Sequence, residues 1–410
     1  MDFITIVFLI YTFIALYFFF LFLLIYLQNK EKFFYYPKAK KQYSLSMVVP
    51  CYNEEKDIGG TIESLLNIGY KGLKKIIVVD DCSTDNSFKI MQEYAKKYSK
   101  VIAVQTPKNT GNAAGAKNYG AKFVKTELIG FTDADSYPEK GSINKMVGFF
   151  NDSQVGAITS TVLVKNRNKF IEKLQSIEYK VIKFSRKLLE FIDSIYVTPG
   201  PLAVYRRKAF DDVGRFDEKN LTEDIEIVWN LQLHNWKIKM CVPSRVYSVA
   251  PSKIKAWLNQ RNRWNMGGLQ TIFKYRKQAL KGKGMLGTFI LPFFLLSWLL
   301  GLFGIFILVY RLLRELVVHY LSTKYSIGAQ TAIITLREIN LTPHVLVFLG
   351  LTLFLFGLLF TLIALSSVKE KQYKKVGPIT LGFYLVFYLL VYPIILVISL
   401  TKFLKRKRTW

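Results

Sequence analysis

The sequence predicts an α/β domain with a Rossmann-like, mostly parallel sheet, joined to an α-helical transmembrane bundle. Three observations lead to this fold class. The apolar residues of the 410-residue chain are concentrated at its two ends. In the middle of the chain, short apolar runs alternate with helical patterns, as in a soluble enzyme. Strand–helix–strand repetition of this kind is typical of a parallel sheet that is covered by helices on both faces.

The first element is an apolar N-terminal segment. Residues 3–27 are almost uniformly apolar and aromatic, and a run of about 20 such residues crosses a bilayer. The segment lacks the basic start and the small-residue cleavage site of a signal peptide. We therefore predict a retained transmembrane helix within residues 1–30. Lysines at positions 30–41 follow it, so the positive-inside rule places the next segment in the cytoplasm.

The second element is the α/β domain itself, over residues 44–250. Helical patterns lie between its strands, for example over residues 58–67 and 86–97. Buried strands are expected at residues 46–50, 75–80, 101–105 and 128–132. Ligands of such sheets bind at the carboxyl ends of the strands, and polar clusters in this sequence follow those ends.

The remaining segments are predicted to lie on or in a membrane. Residues 251–282 include a basic, aromatic and amphipathic stretch that predicts one or two interfacial helices. The C-terminal region, residues 283–410, contains three further apolar runs that are long enough to span, at 285–310, 344–367 and 377–400. Residues 311–343 are too polar to span and predict a surface helix.

Four crossings create a conflict in the predicted topology. The basic tail from Lys402 to Arg408 would lie outside, against the positive-inside rule, whereas the loop Lys369 to Lys375 would lie on the correct side. A re-entrant run at 285–310 would invert both assignments. We take four true spans as the prediction, in an integral protein of the plasma membrane with a cytoplasmic α/β domain.

The formal charge of the chain is +28, from 57 Lys and Arg against 29 Asp and Glu. Such an excess can indicate nucleic-acid binding, or attraction to anionic lipid headgroups and phosphate-bearing substrates. The basic residues are scattered and also cluster beside the apolar spans, as from Lys30 to Lys41. This distribution favours membrane lipids as partners and excludes nucleic acid.

Two predicted strands end in polar clusters, VVPCYNEE at 48–55 and VVDDCSTD at 78–85. Carboxylates at strand tips can accept hydrogen bonds from a base N–H or from ribose hydroxyls. The alternative is that Asp and Asn merely turn the chain. One such cluster alone would favour the turn, but two in the expected order favour a nucleotide site.

A third cluster, TDADS, places Asp133 and Asp135 directly after an apolar strand. Carboxylates at i and i+2 of an extended backbone point the same way, so both can approach one hard divalent cation. We predict Mg²⁺ or Mn²⁺ as the cofactor. A metal between this pair and a diphosphate would neutralise a leaving group.

A fourth cluster, LTEDIE, begins a predicted helix. Thr222 can cap the helix, and the acids suit its positive end. This structural role holds whether or not the cluster is catalytic. The functional interpretation adds that Asp224 is the general base for an acceptor hydroxyl, because inversion at a sugar carbon requires activation of the nucleophile on the face opposite the leaving group.

The fifth cluster is QRNRW at 260–264. Arg can pair bidentately with a phosphate, and Trp offers a flat face to a sugar ring. The alternative is a snorkelling Arg and an interfacial Trp beside the bilayer, and this alternative is favoured for the cluster alone.

Six motifs together resemble those of glycosyltransferase family 2 and occur in the same order, from about residue 46 to residue 268. They are VVPCYNEE, VDDCSTD, TDADS, PGPLAVYRR, LTEDIEIVWNLQ and QRNRW. More narrowly, they resemble the processive membrane synthases of cellulose, chitin, hyaluronan and poly-N-acetylglucosamine. The resemblance implies a GT-A-like fold for the α/β domain.

The resemblance also implies roles by position. For the nucleotide-sugar it implies Pro50, Tyr52, Glu54, Asp81, Lys117, Asn118 and Asp133. For the metal it implies Asp133 and Asp135, and for catalysis Asp224 with Glu223 beside it. For the acceptor and diphosphate it implies Gly200 to Arg206, Gln260, Arg263 and Trp264.

The sequence also departs from the family pattern. It has one N-terminal span where many relatives have two, and Thr198-Pro199-Gly200 where relatives often carry Ser or Cys before the glycine. We expect an inverting, metal-dependent transfer from a nucleotide-sugar, such as UDP-N-acetylglucosamine, to a growing β-linked polysaccharide, coupled to its translocation. Two alternatives stay open. One is a single transfer to a lipid acceptor, a polyprenyl phosphate or glycolipid, and the other is a membrane scaffold or transporter without catalysis.

Overall fold

An eight-stranded mixed sheet forms the centre of the molecule. The structure, a computed structural model, describes residues 3–281, 284–328, 345–368 and 377–405. Its strands are β1 (Leu45–Cys51), β2 (Leu73–Asp80), β3 (Val101–Gln105), β4 (Leu128–Phe131), β5 (Ser136–Pro138), β6 (Val155–Val164), β7 (Ala203–Arg206) and β8 (Lys237–Ser248). The four strands that the sequence predicts are β1 to β4, each within two residues of the predicted ends.

Helices connect the strands and continue beyond the sheet. In the α/β domain they are α2 (Ile58–Leu66), α3 (Ser87–Lys97), α4 (Ala113–Ala121), α5 (Ser142–Met146), α6 (Phe170–Phe191), α7 (Arg207–Asp212) and α8 (Glu223–Leu233). The others are α1 (Phe3–Asn29) before the sheet and α9 (Ile254–Lys281), α10 (Leu291–Gly328), α11 (Val345–Ser366), α12 (Pro378–Phe383) and α13 (Leu389–Leu404) after it. Single π-helical turns precede α10 and separate α12 from α13.

The strand order is β3-β2-β1-β4-β7-β6-β8-β5. Strands β1 to β4 are parallel to one another, and β7 reverses the direction because it pairs antiparallel with both β4 and β6. The sheet is therefore GT-A-like, a mostly parallel first half extended by a mixed second half. The parallel strands bring their carboxyl ends to one edge, where the polar clusters follow.

Alternate side chains of the strands enter two separate apolar cores. In β1, Val48 joins the core formed with α4, α6 and α8, whereas Met47 and Val49 join the core formed with α2, α3 and α5. This alternation follows from the two-residue period of a strand. The sheet is thus covered on both faces, which explains why its strands read as continuous apolar runs.

Helix α6 lies between the sheet and the apolar helices. Its Phe184 contacts the rings of Tyr26 and Phe33, at the end of α1, and of Phe360 in α11. Four helices are long and apolar enough to cross a membrane, Ile6–Asn29, Leu286–Gly328, Phe348–Ser366 and Pro378–Leu404. Residues 311–328, expected in a separate surface helix, continue α10 instead, and residues 329–344 lie outside the described residues.

The expected interfacial segment is one long helix, α9, and it lies against the α/β domain along its length. The backbone N–H of Leu221 donates to Gln270 Oε1 at 2.9 Å, and Asn220 Nδ2 donates to Thr271 Oγ1 at 3.0 Å. Further along, Lys274 Nζ lies 2.8 Å from Asp217 Oδ2. These contacts fix α9 to the loop that leads into α8.

The last apolar helix, α12–α13, runs alongside α9. Near the start of α9, the rings of Trp257 and Tyr388 lie 4.9 Å apart. In its middle, Ser399 Oγ donates to Asn262 Oδ1 at 2.7 Å, and further along, the rings of Phe273 and Phe403 lie 5.0 Å apart. This apolar helix therefore packs along α9 from Tyr388 to Phe403, and its length and composition also suit a span.

Candidate active site

One large cavity, of about 1140 Å³, opens at the carboxyl ends of β1, β2 and β4. The loop before α8, together with α6 and α9, forms its other walls, and it extends to α10 and α12–α13. Most of the site residues expected from the sequence line it: Pro50, Tyr52, Glu54, Asp81, Lys117, Asp133, Asp135, Gly200, Glu223, Asp224, Gln260, Arg263 and Trp264.

Asp133 and Asp135 follow β4 and both face the cavity. Burial, together with the charges of Asp133 and Glu54, raises the pKa of Asp135 to about 7. A bound cation would relieve this repulsion. Gly200 lies directly against the pair, since a Cβ at this position would lie 2.6 Å from Asp133 Oδ2. Only glycine lets the loop approach the carboxylate this closely.

The carboxylate pair fits a divalent cation that is shared with a phosphate-bearing substrate. Mg²⁺ is usually bound through one or two carboxylates together with substrate phosphates. In the part of the chain that the structure describes, no group of three or more His, Cys, Asp or Glu side chains could hold a metal alone. Asp133 and Asp135 therefore fit a cation that binds together with the substrate.

Asp81 and Glu54 border the cavity beside this pair, and we call these four acids the strand end of the cavity. The Asp81 carboxylate accepts from Thr106 Oγ1 at 2.8 Å, and from the backbone N–H and hydroxyl of Thr110 at 2.9 and 2.8 Å. A carboxylate has about four acceptor positions, so one remains for a ligand. Burial and the charge of Asp57 raise the pKa of Glu54 to about 7.

Lys117 connects the strand end with the start of α8. Its Nζ lies 2.7 Å from Glu223 Oε1 and 3.4 Å from Asp133 Oδ1, and its side chain is buried. Although burial acts in the opposite direction, Glu223 and Asp133 raise the pKa of Lys117 above its ordinary value. In return, Lys117 lowers the pKa of Glu223 despite the burial of that carboxyl. Glu223 is thus an ionised partner of Lys117.

Asp224, the next residue, has a different environment. Its carboxylate lines the cavity and makes no hydrogen bond or ion pair with any residue that the structure describes. Burial, reinforced by the charge of Glu223, raises its pKa. Two adjacent acids with pKa values shifted in opposite directions are typical of a site in which one is structural and the other handles a proton.

Three residues of QRNRW face the cavity from α9. They are Gln260, Arg263 and Trp264, which share one face because positions i, i+3 and i+4 lie together on a helix. The helix approaches the site closely, since a Cβ at Gly267 would lie 2.0 Å from Thr222 Oγ1. Arg263 also donates to the carbonyl of Leu221 at 3.3 Å.

Arg261, from the same motif, is buried and holds α9 in place. Its Nε and Nη2 donate to the two oxygens of Glu178 in α6, at 2.9 and 2.6 Å. Tyr388 and Tyr392 of the last apolar helix donate to the same carboxylate. The guanidinium also stacks 4.0 Å from the Trp264 ring. The ion pair thus joins α6, α9 and α12–α13 beneath the cavity.

The far part of the cavity contains residues that the motifs did not indicate. We call this part the helical end and define it by Arg186, Trp229, Phe294 and Trp298. Arg186 is 6% exposed, and it makes no hydrogen bond or ion pair with a described residue. The Trp229 Nε1–H also lacks a partner among them. An arginine on the apolar face of α6 was the signal that could have found this end.

Two expected site residues lie away from the cavity, which corrects the sequence-based placement. Asn118 donates to Phe216 O and Glu218 Oε1, both at 2.9 Å, and so holds the loop before α8. Arg206 donates to three carbonyls, including Val155 O at 3.1 Å, near the start of β6. Both side chains are hydrogen-bonded within the α/β domain and do not line the cavity, so their expected contact with substrate stays a prediction.

Comparison with known proteins gives matches over most of the chain. The family model described as Glycosyltransferase like family 2 matches residues 42–267. The poly-beta-1,6-N-acetyl-D-glucosamine synthase of Staphylococcus epidermidis is 26% identical over 378 residues, which cover 89% of this chain and 86% of that protein. The enzyme of the same name from Staphylococcus aureus strain COL is 28% identical over 244 residues, 58% of each chain.

A solved structure also resembles the whole chain. The mannosyltransferase PcManGT from Pyrobaculum calidifontis, in complex with GDP-Man and Mn²⁺, aligns with a TM-score of 0.59 at 16% identity. The alignment covers 97% of this chain and 99% of that one. At this identity the likeness concerns the fold, which includes the apolar helices as well as the sheet.

Proposed function

The chain belongs to family 2 of the glycosyltransferases, and from this we propose that it transfers a sugar from a nucleotide-sugar to a growing β-linked polysaccharide at a membrane. The observation that carries the proposal is one cavity in which Asp133, Asp135 and the unpartnered Asp224 meet Arg263 and Trp264. The staphylococcal relatives are poly-N-acetylglucosamine synthases, which supports UDP-N-acetylglucosamine as the donor.

In the proposed reaction, Asp224 accepts the proton of an acceptor hydroxyl. The hydroxyl oxygen forms a bond to the anomeric carbon while the bond from that carbon to the diphosphate oxygen breaks, and the nucleoside diphosphate leaves with the electron pair. Attack opposite the leaving group inverts the configuration. The raised pKa of Asp224 supports this role, because a general base works best with a pKa near the working pH.

Asp133 and Asp135 would hold Mg²⁺ or Mn²⁺ against the diphosphate. The metal would supply charge neutralisation for the departing diphosphate. Lys117, which is tied to both Asp133 and Glu223, keeps the metal-binding acid and the start of α8 in a fixed relation. Arg263 is placed to donate to phosphate oxygens and Trp264 to stack on the acceptor sugar.

The test is a panel of labelled nucleotide-sugars with the purified full chain in lipid, with Mg²⁺ or Mn²⁺, and with the products sized. A ladder of long chains from UDP-N-acetylglucosamine supports the polymer. Release of nucleoside diphosphate with no labelled product from any donor would contradict transfer altogether. In sealed vesicles, polymer that stayed wholly on the donor side would contradict coupled translocation.

A second candidate acceptor is a lipid phosphate, such as a polyprenyl phosphate. The observation that favours it is Arg186, because a buried guanidinium with no hydrogen bond or ion pair to a described residue suits an anionic acceptor. The same product sizing separates the candidates, since one added sugar on a lipid-extractable product indicates a single transfer.

We also propose that the chain crosses the membrane three times and ends in the cytoplasm. Helix α9 stays on the α/β domain, and α12–α13 runs beside it from Trp257 to Phe273. A helix in this position lies along the cytoplasmic face instead of crossing. The basic residues Lys402 and Lys405 at the end of α13 then lie inside, as the positive-inside rule requires.

A single cysteine at the C-terminus of a variant that lacks the three natural thiols tests this topology. In intact cells, a membrane-impermeant thiol reagent should leave it unlabelled, and permeabilised cells should label it fully. Labelling in intact cells would contradict three crossings and support the four spans expected from the sequence.

A further inference from the structure

A second cavity lies between the α/β domain and the ends of two apolar helices. It has a volume of about 480 Å³. Phe34, just after α1, and Ser367 and Val368, just after α11, form its membrane side. We call it the basic pocket because Lys140, Lys145, Lys183 and Arg245 line it, with Glu139 as its only acid among the residues described.

Among the residues that the structure describes, no carboxylate pairs with the cations of this pocket. Arg245 and Lys140 make no side-chain hydrogen bond or ion pair with a described residue. Lys145 donates to the carbonyl of Pro243 at 3.0 Å. Lys183, which is 1% exposed, donates to Ser367 Oγ at 2.7 Å and to its carbonyl at 3.1 Å. Neutral oxygens therefore solvate two of these cations, Lys145 and Lys183.

Burial, with the charge of Arg245 added, lowers the pKa of Lys183 to about 7. Burial and neighbouring positive charge both disfavour the charged form of a lysine. An anion in the pocket would stabilise the charged form of Lys183. The geometry and the charge balance thus point to a bound anion.

The depth of the pocket identifies where the anion comes from. Exposed aromatic residues, Phe34, Tyr35 and Tyr36, follow α1, and such residues mark the membrane–water boundary. The pocket includes Phe34, so it lies at the level of the lipid headgroups. Basic pockets among membrane helices on the cytoplasmic side bind phospholipid headgroups.

We propose that the basic pocket binds a phosphate group and that an anionic phospholipid of the cytoplasmic leaflet supplies it. The four cations surround the phosphate, and Phe34, Val242 and Val368 contact the glycerol and the first acyl carbons. Lys183 also lines the large cavity, whereas Lys140, Lys145 and Arg245 line the basic pocket and not that cavity. The proposal can therefore be tested at residues outside the proposed reaction.

The test measures which lipids stay bound to the purified full chain. The protein is reconstituted in nanodiscs of phosphatidylcholine with phosphatidylglycerol, extracted in mild detergent and analysed for retained lipid by native mass spectrometry. The test variant carries Lys140→Gln and Arg245→Gln. The control carries Lys74→Gln and Lys96→Gln, which remove the same charge from exposed positions on β2 and α3.

We expect the wild type and the control to retain phosphatidylglycerol and the test variant to bind it about 30-fold more weakly. Arg245→Lys should retain most of the binding. Nucleotide-sugar binding should be equal in all variants, which shows that the domain is folded. Equal retention of phosphatidylglycerol in the test variant and the wild type would overturn the proposal.

A second arm separates lipid from soluble phosphate. The lipid-free protein is titrated with inorganic phosphate. Weak or absent binding, together with retained phosphatidylglycerol, assigns the site to lipid. If the wild type binds phosphate, the test variant loses this binding and neither retains lipid, the pocket is a phosphate site whose ligand is a soluble phosphate. That result would contradict the lipid as the source. If the test variant still binds both lipid and phosphate, the pocket is the site of neither ligand.

Discussion

The strand end and the helical end of the large cavity are built in different ways. At the strand end, acids such as Asp81 and Asp133 emerge from the tips of parallel strands, and each is fixed by neighbours or by another charge. At the helical end, Arg186 and Trp229 project from helices and have donors without partners. The carboxylates of the strand end suit a nucleotide and a cation, as proposed above, whereas the donors of the helical end suit a ligand that accepts hydrogen bonds.

The first prediction concerns Asp224, which lines the cavity at the start of α8. Asp224→Asn removes the general base while it keeps the shape of the side chain, so we expect turnover to fall by about 10³-fold. Donor binding should change little, because the strand end is intact. Turnover is measured with labelled donor and binding by calorimetry.

Asp212→Asn is the matched control, since Asp212 is exposed on α7. It should retain full activity. Normal turnover in Asp224→Asn would refute the assignment of the base.

The second prediction concerns the ion pair that supports the helical end. Arg261→Met leaves Glu178 buried without a charge partner, so we expect the free energy of unfolding to fall by about 3–5 kcal/mol. Arg276→Met, exposed on the same helix, should have little effect. Denaturant unfolding in detergent measures both.

Combining Arg261→Met with Glu178→Leu should recover part of the stability, because the unpaired carboxylate is removed as well. If the double variant unfolds as easily as the single one, the damage comes from packing and the charge argument fails.

The third prediction compares the ends directly. Arg186→Gln should raise the KM for an anionic acceptor by about tenfold or more, since a hydrogen bond from a charged donor is lost. The KM for the donor should stay constant. Lys173→Gln, exposed on the same helix, serves as the control. A change in the KM for the donor alone would contradict this role and would indicate that Arg186 contributes to donor binding.

The fourth and smallest effect is a pH dependence. The pKa of Asp224 is raised by burial and by Glu223, so kcat/KM should fall as pH decreases through the raised pKa, well above the ordinary value of about 4. Stability should change in the opposite direction. The folded state holds a proton that the unfolded state has released, so the contribution of Asp224 to stability falls as pH rises.

The measurement is kcat/KM and thermal midpoint of the wild type and Asp224→Asn across the neutral range. The wild type should lose stability relative to the variant as pH rises. Parallel pH profiles of stability would show that Asp224 does not titrate there.

The difference between the two ends also explains what the sequence could predict. Strand tips give local signals, because an apolar run is followed at once by acids. Such signals predict β1 to β4, which the structure has, and Asp81, Asp133 and Asp135, which line the cavity. The helical end is assembled from α6, α8 and α10, which lie far apart in sequence. No local pattern connects Arg186 with Trp298.

Two expected site residues and one helix show what a local sequence pattern cannot predict. Asn118 and Arg206 match motif positions, yet their partners are main-chain and loop atoms that only the folded chain brings close. Likewise, composition predicts a span at α12–α13, and the structure has a helix long and apolar enough for one. Its contacts with α9, through Tyr388 and Phe403, could not be read from hydropathy.

The position of α9 determines how the enzyme can be divided. A fragment that ends after β8 would keep every strand of the sheet but would lose Gln260, Arg263 and Trp264 from the cavity wall. A fragment that ends after α9 would keep those side chains, yet the Glu178 carboxylate would lose its bonds from Tyr388 and Tyr392. The sheet alone therefore does not complete the cavity, because side chains of α9 and of the apolar helices form part of its wall.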